Sequence, residues 1–542
     1  MSPERKKEFT TVSGIPLKKV YTPADINDLQ PNKDIGLPGE PPYVRGIYPN
    51  MYRERLWRIF QLSGSGTTEE TRDRVKMLVE AGERGITFEQ DRMVCYSMLD
   101  VDDPDVVYRK EDVGLYGAPV MCLKDLEILL EGIPIEKLFV RWGMYPMQIS
   151  FEQACYFVIA EKRGLKLSDL AGQSHGGMFA GYIGTPIYKQ IPPRAGNRFV
   201  CDGIEFCIQH KMDKWVPSTS AGHNARANGI NAYQELAMVV AQQMMRMDEL
   251  IKRGTVDPED VASRLAAVNF SVHDDFFEDM CKIRAARRLW YRIFKEKYHI
   301  QNPRGLCLRV QGLTCSQTFT YQQPLNNIAR NTLRATAAAL AGVQALGTAS
   351  YDEAISVPSR AAAINSIRTQ QIVQHESGIC DVVDPLGGSY YVEWLTNELD
   401  RRASEYLEEI EKRGGFISII ENGWAHAEAA KGAQEWERKV NNGEWTWVGV
   451  NAFQAQEDML QVNPHPPTKG VWEQAMARLE KLRRERDSAR VKDVMAELRE
   501  VALSDKNILP TMMKAVQADI TVGEVGNLWR DIFGIWKAPL PL

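Results

Sequence analysis

Eight short strand-like runs alternate with long helical segments between residues 56 and 349, and this alternation constrains the fold more than any other feature of the chain. The runs lie at 56-62, 85-91, 137-143, 168-174, 214-220, 267-273, 306-313 and 342-349. Parallel strands need crossover helices, and eight such strands close readily into a barrel. We therefore predict an α/β fold built on a (β/α)8 TIM barrel, with an open doubly wound sheet as the alternative.

The helices are predicted from amphipathic segments and from their start signals. Thr67 with Glu70 and Ser150 with Gln153 each match the pattern of a capping box. Further helical patterns lie near 124-131, 151-164, 230-253, 276-298, 327-341 and 356-377, and beyond them near 394-413, 416-432 and 473-504. A short strand pair is predicted at DVVDPLGGSYYVE.

Three regions follow from this pattern. Residues 1-40, dense in Pro, Gly and Asp, predict an extended arm that lies on another part of the protein. Residues 41-399 form the predicted barrel. Residues 400-542 predict a helical region with a linker near 462-470, where VNPHPPTKG is incompatible with a helix.

Composition excludes several functional classes. A net charge of -5 gives no basic face for nucleic acid or for an anionic membrane. The nine cysteines include no CxxC pair, which argues against a zinc site or a disulfide framework and favours a reducing compartment. The sequence has no apolar signal segment and no run of 18 apolar residues, so we expect a cytoplasmic protein without a membrane span.

Reacting groups of a parallel barrel lie at the carboxyl-terminal ends of its strands. The predicted strand ends carry polar but sparsely charged residues: Leu62, Glu89, Trp142, Gln173 with His175, His223, His273, Gln311 and Gly347. They include no pair of facing carboxylates, no Ser-His-Asp order and no HExxH metal motif. These residues alone therefore predict a barrel enzyme whose chemistry they do not specify.

Four of these residues are candidates for polar chemistry. His223 follows STSAG, where an imidazole could donate to a substrate carbonyl, although a histidine bound to loop backbone is the alternative. His175, in QSHGG, is a weaker candidate. His273 can equally pair with one of the two aspartates that follow it. Glu89 is either a substrate contact or half of an ordinary ion pair.

Several segments resemble the methylmalonyl-CoA mutase family. PPYVRGIYPNMYRERLWRIFQLSG (41-64) is similar to the opening barrel segment, whose signature is approximately RG-x-Y-x-x-MY-x-x-R-x-W. ESGICDVVDPLGGSYYVE (376-393), EKRGGFISIIENGW (411-424) and VGVN (448-451) resemble the same family. The similarity extends from about residue 15 to 535. Within the family, the sequence most resembles the large subunits of mutases of the isobutyryl-CoA and 2-hydroxyisobutyryl-CoA type.

The resemblance implies a cofactor and partners. Enzymes of this kind use adenosylcobalamin to move the thioester carbonyl group of an acyl-CoA to the neighbouring carbon by radical chemistry. None of the eight histidines lies in the DxHxxG motif of a cobalamin domain. The resemblance therefore implies that a cobalamin-binding small subunit supplies the lower ligand, that the barrel binds acyl-CoA, and that a G-protein chaperone of the mutase is a further partner.

The resemblance also implies site residues. His223 matches the histidine that polarises the thioester. The implied substrate-binding positions are Tyr48, Met51, Arg55, Leu62, Glu89, His175, Thr185, Gly222, Arg264, Arg304 and Gln311, and the implied cofactor-binding positions are Gln344, Gly347, Glu353 and Ala354. No protein metal ligand is expected.

The chain departs from the family pattern within the implied site. Leu62 and Gly222 stand where methylmalonyl-CoA mutase has tyrosines. The position of that enzyme's carboxylate-binding arginine aligns near Thr185. Gln311 and Gly347 replace histidines. We interpret Gly222 and Gly347 as opening the cavity, and Glu89 as favouring a hydrogen-bond donor on the acyl group. The expected substrate is a bulky or hydroxylated branched acyl-CoA. The alternatives are an inactive scaffold or chaperone subunit and a barrel enzyme with a different acyl-CoA chemistry.

Overall fold

The computed structural model describes residues 8–143, 145–184, 188–455 and 465–539. These residues form ten short strands: β1 Arg58–Phe60, β2 Leu62–Ser63, β3 Thr87–Phe88, β4 Val140–Trp142, β5 Gly172–Ser174, β6 Trp215–Val216, β7 Ser220–Ala221, β8 Ala267–Val272, β9 Arg309–Thr314 and β10 Ala345–Gly347. Each strand overlaps one of the eight predicted runs, and every strand pairing is parallel.

The strand order returns to its starting point. One sheet has the order β1-β10-β9-β8-β7 and the other β2-β3-β4-β5-β6. Only Gln61 separates β1 from β2, and only 217–219 separate β6 from β7, so each pair is one barrel strand shared between the two sheets. Eight parallel strands therefore follow one another around a ring, as in a (β/α)8 barrel. The fold prediction is confirmed, and the open doubly wound sheet is wrong.

Helices follow the strands and cover the barrel. In the described residues they are α1 Thr68–Glu80, α2 Pro104–Tyr108, α3 Leu123–Leu129, α4 Ile149–Lys162, α5 Pro193–Gln209, α6 His223–Arg226, α7 Ala232–Arg253, α8 Pro258–Leu265, α9 Phe276–Glu296, α10 Pro303–Leu306, α11 Asn326–Leu340, α12 Arg360–His375, α13 Tyr390–Lys412, α14 Phe416–Glu421, α15 Trp424–Asn441, α16 Val471–Glu485, α17 Ser488–Ala502, α18 Leu509–Gln517 and α19 Val522–Phe533. Within the described residues no helix is long and apolar enough to cross a membrane.

One of the two predicted capping boxes is present. Thr67 Oγ1 accepts from the Glu70 amide at 3.2 Å, and Glu70 Oε2 accepts from the Thr67 amide at 2.9 Å, which fixes the start of α1. The box predicted at Ser150 is wrong. Helix α4 already begins at Ile149, and Ser150 is buried inside its first turn. A four-residue pattern does not show which turn of a helix it occupies.

The strand pair predicted at DVVDPLGGSYYVE is also wrong. The segment begins at the last residue of a short helical turn, Ile379–Asp381, and continues through turns into the start of α13. Asp384 accepts from Arg45 Nε at 2.9 Å and forms a second, buried ion pair with Arg284. The segment is therefore a loop whose ion pairs connect the start of α13 to α9.

The segments outside the barrel pack on its helices. In the arm, the Val12 amide donates to Asp275 at 3.2 Å and the Ser13 amide donates to Glu278 at 3.1 Å, so the arm lies on the start of α9. Beyond the barrel, Trp529 of α19 packs on Phe199 of α5 with ring centroids 4.7 Å apart. In the predicted linker, 465–470 are not helical and α16 begins at Val471, whereas 462–464 lie outside the described residues.

Candidate active site

Arginines cluster at the amino-terminal end of the barrel. The sequence predicted three of them, Arg55, Arg264 and Arg304, and the structure adds Arg58 and Arg309, the first residues of β1 and β9. Burial and the positive charges of neighbouring arginines lower the pKa values of Arg58 and Arg309 to about 10. This end of the barrel is therefore a cationic surface.

Few acidic groups neutralise this cluster. Asp213 is ion-paired with Arg264 at 2.6 Å, and its backbone carbonyl accepts from Arg304. Tyr48 is 40% exposed and close enough to influence the pKa values of Arg58 and Arg309. Such a surface suits a polyanionic ligand, because guanidinium groups bind phosphates in a bidentate way. Arg58 and Arg309 were missed because the search of strand ends covered only the opposite ends, and the family resemblance implied only Arg55, Arg264 and Arg304 here.

Two further predicted residues lie near this end of the barrel. Met51 is buried and packs near Gly46 and Gly342. Gln344 precedes β10, where its Oε1 accepts from the Val310 amide at 2.8 Å and its Nε2 donates to the Gly342 carbonyl at 2.8 Å. Gln344 and Glu353 were both predicted to bind the cofactor. The structure places them at opposite ends of β10, Gln344 before the strand and Glu353 after it.

Glu89 lies at the carboxyl-terminal end of β3. Its Oε2 accepts from the Tyr96 hydroxyl at 2.8 Å. Burial raises its pKa to about 7, although the hydrogen bond from Tyr96 and the charge of Arg141 act in the opposite direction. Glu89 makes no ion pair among the described residues, so the alternative that it is half of an ordinary ion pair is not observed. A carboxyl group with this pKa can accept or donate a hydrogen bond near neutral pH.

His223 begins α6, separated by one residue from the end of β7. Burial, together with the charges of His273 and Lys282, lowers its pKa to about 4. The imidazole is therefore neutral at pH 7, and its Nδ1 has no hydrogen-bond partner within the described part of the chain. The alternative, a histidine hydrogen-bonded to the loop backbone, is not observed at Nδ1. A neutral imidazole with a free nitrogen can donate to a ligand oxygen without carrying a charge into the site.

His175 joins a polar network inside the barrel. Its Nε2 lies 2.9 Å from Gln173 Nε2, and burial lowers its pKa to about 3. Gln173 also donates to Gln311 Oε1 at 3.2 Å. Gln311 accepts a second hydrogen bond from Arg141 Nη2 at 2.7 Å. The structure therefore connects the predicted residues His175 and Gln311 through Gln173. Arg141 was missed because an arginine inside a strand carries no motif.

The structure resolves the pairing of His273. Its Nδ1 lies 3.0 Å from Asp274 Oδ2, and Asp274 also pairs with the buried Arg334. Asp275 instead caps the start of α9. Burial alone would lower the pKa of His273, but Asp274 and the adjacent Cys315 raise it to about 9, so the imidazole is protonated at neutral pH.

The two substituted glycines do not open the cavity. A Cβ at Gly222 would lie 2.6 Å from Val239 Cγ2 and 2.7 Å from Glu235 Cγ, both on α7. A Cβ at Gly347 would lie 2.5 Å from the ring of Phe60. The space beside both glycines is already filled by neighbouring side chains, so the interpretation that they enlarge the acyl cavity is wrong.

Leu62, Glu353 and Ala354 lie near the carboxyl-terminal ends of the strands. Leu62 is 46% exposed in β2. Glu353 follows β10, where its Oε1 accepts from the Ser350 amide at 2.7 Å and burial raises its pKa to about 7. Ala354 beside it is exposed. Thr185 lies outside the described residues.

A cavity of about 570 Å³ opens beside the loops that follow β7, β8 and β9, between the arm and α15. Arg226 and His273 line it, and Arg226 is only 6% exposed. Arg226 Nε and Nη2 have no hydrogen-bond partner in the described residues, although Nη2 lies 3.7 Å from Glu278. Buried donors without acceptors are costly, so they favour a ligand that brings acceptors.

Comparison with known proteins identifies the family. The sequence model of the family described as methylmalonyl-CoA mutase matches residues 10–535. The chain belongs to the methylmalonyl-CoA mutase family. It is similar to the 2-hydroxyisobutanoyl-CoA mutase large subunit of Aquincola tertiaricarbonis, with 36% identity over 99% of this chain and 94% of that protein.

Longer relatives belong to the same family. Methylmalonyl-CoA mutase of Cereibacter sphaeroides is 34% identical over 98% of this chain and 73% of its own length. The human mitochondrial enzyme of the same name is 32% identical over 97% of this chain and 69% of its own length. The methylmalonyl-CoA mutase family depends on cobalamin, and its enzymes are isomerases. The chain is accordingly an acyl-CoA mutase. In its described residues, no group of His, Cys, Asp or Glu could hold a metal ion.

Proposed function

We propose that this chain is the large subunit of an adenosylcobalamin-dependent mutase that acts on a branched acyl-CoA, with the cobalamin held by a separate small subunit. The observation that carries the proposal is the polarity of the barrel. Arg58 and Arg309 lie with other arginines at one end. His223, which is neutral, and Glu89, whose pKa is about 7, lie at the other. One elongated ligand with an anionic and a neutral end fits this arrangement.

The arginine cluster would bind the nucleotide end of CoA. CoA carries a diphosphate and a 3′-phosphate, which are strong acceptors for guanidinium groups. Arg58 has no ion-pair partner in the described residues, and Arg309 donates one hydrogen bond, of 2.8 Å, to the Ser263 carbonyl. Both therefore retain donors for phosphate. The uncharged pantetheine arm would then point along the barrel.

His223 would orient the thioester. Because burial keeps the imidazole neutral, it can donate one hydrogen bond to the thioester oxygen as charge grows there. An imidazolium would instead add a buried charge near the protonated His273. The side chains of the chain thus orient the acyl group and exclude water around it.

The residues at the carboxyl-terminal ends fit a large polar cofactor. Arg226 Nε and Nη2 and His223 Nδ1 lack partners among the described residues, and the cavity beside Arg226 measures about 570 Å³. Arg226, Glu353 and the exposed Ala354 would contact the cofactor. When bound, adenosylcobalamin would supply the radical chemistry.

A small subunit would complete this end of the barrel. None of the eight histidines lies in a DxHxxG motif. The relative of Aquincola tertiaricarbonis is named a large subunit, which supports the same division in this protein. Leu62, 46% exposed at this end, would be covered by the cofactor and the partner.

The acyl group is proposed from Leu62 and Glu89. Leu62 favours an apolar branch. Glu89, with its pKa raised to about 7, favours a hydroxyl that can donate to its carboxylate or accept from its protonated form. A branched acyl-CoA, hydroxylated near the branch, satisfies both contacts.

Two measurements test this proposal. Purified chain should bind adenosylcobalamin weakly and gain tight binding when a small subunit carrying DxHxxG is added. Specificity constants of the complex should then be higher for isobutyryl-, 2-hydroxyisobutyryl- or aryl-substituted branched substrates than for methylmalonyl-CoA. Micromolar binding of adenosylcobalamin by the chain alone, or a clear preference for methylmalonyl-CoA, would contradict the proposal. Corrin binding without turnover of any substrate would favour the inactive scaffold.

A further inference from the structure

A buried arginine lies inside the barrel without a carboxylate partner. Arg141 of β4 is 1% exposed, and it forms no ion pair among the residues that the structure describes. Burial and the charge of Arg58 lower its pKa to about 9, even though Glu83 and Glu89 act in the opposite direction from a distance. Burying an unpaired cation costs several kcal/mol, so stability of the free protein does not explain Arg141.

Several other buried arginines of the chain pair with carboxylates. Arg284 pairs with Asp384 and, at 2.7 Å, with Glu393. Arg288 pairs with Asp400 at 2.6 Å. Both lie on α9, outside the barrel, where they fasten helices together. Arg246 on α7 and Arg287 on α9 are also buried without an ion pair among the described residues, but they lie on helices outside the barrel. Arg141 differs because its side chain extends into the barrel interior.

Arg141 and the neutral groups that it contacts form a bar across the barrel. Arg141 Nη2 donates to Gln311 Oε1 at 2.7 Å, and Nη1 donates to Thr87 Oγ1 at 3.3 Å. Its guanidinium carbon lies 3.3 Å from the ring centroid of Phe60. Because β4 and β9 are the third and seventh strands of the ring, the bond from Arg141 to Gln311 spans the interior between opposite strands.

The bar has the chemistry of a carbonyl-binding site. Gln311 Oε1, the oxygen of a carboxamide, accepts from Arg141 Nη2 and also from Gln173 Nε2 at 3.2 Å. Arg141 Nε is buried and has no partner in the described residues. Two donors thus converge on one amide oxygen inside the barrel, and a third donor has no acceptor. A ligand carbonyl could replace the Gln311 oxygen or bind Nε directly.

We propose that Arg141 is a substrate-positioning residue that donates to a carbonyl oxygen of the acyl-pantetheine arm, with the Gln311 amide oxygen taking that place in the free protein. This inference rests on the proposed function, because it requires an acyl-CoA that lies along the barrel. The arm carries two amide carbonyls and the thioester carbonyl. The bar lies between the arginines that would bind the nucleotide and the pocket of His223 and Glu89. Arg141 would therefore set how far the acyl group reaches into that pocket.

The test separates the two ends of the ligand. Calorimetry on the full chain would measure the dissociation constants of S-isobutyryl-pantetheine, which lacks the nucleotide, and of adenosine 3′,5′-bisphosphate, which lacks the arm. Arg141→Met should weaken binding of the thioester by about 10- to 100-fold, the range for loss of a charged hydrogen bond. Binding of the bisphosphate should be unchanged. Arg141→Lys, which keeps the charge but loses the planar fork, should recover part of the affinity.

Stability supplies an independent readout. Arg141→Met should leave the melting temperature unchanged or raise it, because it removes an unpaired buried cation. The matched control Arg288→Met should lower the melting temperature, because it takes one partner from Asp400, and should bind both probes like the wild type. A structural role for Arg141 would produce the reverse: a lower melting temperature with unchanged binding.

The remaining outcomes are distinguishable. If the wild type binds neither probe, the proposed function itself fails. If the wild type binds S-isobutyryl-pantetheine and Arg141→Met binds it equally well, the inference about Arg141 is overturned and the proposed function stands. If Arg141→Met weakens S-methylmalonyl-pantetheine but not the isobutyryl compound, Arg141 recognises a carboxylate, which also overturns the carbonyl assignment.

Discussion

The Tyr96 hydroxyl donates to Glu89 Oε2 at 2.8 Å at the carboxyl-terminal end of the barrel. This bond stabilises the carboxylate, yet burial still raises the pKa of Glu89 to about 7. Glu89 therefore changes its charge within the range in which enzymes are assayed.

This pKa predicts a pH dependence of stability. The folded protein holds the Glu89 proton up to about pH 7, whereas the unfolded chain releases it near the ordinary value of 4.5. The folded state binds more protons between these values, so the free energy of unfolding should fall as the pH rises from 4.5 to 7. Urea unfolding at pH 5 and 8 should show a smaller difference for Glu89→Gln than for the wild type. The exposed control Glu161→Gln on α4 should behave like the wild type; an equal difference in all three proteins would contradict the assignment.

His223 should affect turnover rather than folding. If it donates to the thioester oxygen, His223→Ala in the reconstituted complex should lower kcat by about 10²- to 10³-fold, the range for loss of one such donor. Its circular dichroism should be unchanged. His375→Ala, at an exposed position at the end of α12, should keep full activity. An unchanged kcat for His223→Ala would assign His223 a structural role.

Gly222 should be required for packing. Because its Cβ position lies 2.7 Å from Glu235 Cγ, Gly222→Ala would push against a residue that forms a buried ion pair with Lys282 at 2.7 Å. Overpacking of this kind costs about 1–3 kcal/mol, so the free energy of unfolding should fall by that amount. Gly181→Ala, whose Cβ would meet its nearest neighbour at 3.4 Å, is the control. If Gly222→Ala were as stable as the wild type, the glycine would instead border open space.

The arginine cluster should determine CoA affinity. Arg58→Met and Arg309→Met should each raise the dissociation constant of CoA by about tenfold or more, since each removes charged hydrogen bonds to phosphate. Rising salt should weaken CoA binding less in the variants than in the wild type. Arg360→Met, exposed at the start of α12, is the control. Equal affinities in all four proteins would place the nucleotide elsewhere.

The periodic features of the chain could be predicted from the sequence, and the features that depend on distant neighbours could not. All eight strand runs were found because parallel strands between helices leave short apolar runs with a regular spacing. The Thr67 box marked a true helix start, whereas the same pattern at Ser150 lay within a helix. A side chain at Gly222 would meet Glu235 of α7, and nothing near Gly222 in the sequence indicates that contact.

The site was predicted at one end of the barrel more fully than at the other. His223 and Glu89 were found because strand ends focus the search on a few residues. Arg58 and Arg309 lie where strands begin, and Arg141 lies within a strand, where an arginine shows no sign of which face it occupies. Only the hydrogen bond from Arg141 to Gln311, on the opposite side of the barrel, shows that it points inward.

The most direct test of the account is turnover by the reconstituted complex. Purified chain would be combined with a cobalamin-binding small subunit, adenosylcobalamin and isobutyryl-CoA or 2-hydroxyisobutyryl-CoA, and the linear isomer would be measured by mass spectrometry. We predict that the isomer forms only when the chain, the small subunit and the cofactor are all present, and that His223→Ala lowers its rate. A complex that binds both cofactor and acyl-CoA but forms no rearranged product from any branched substrate would contradict the account.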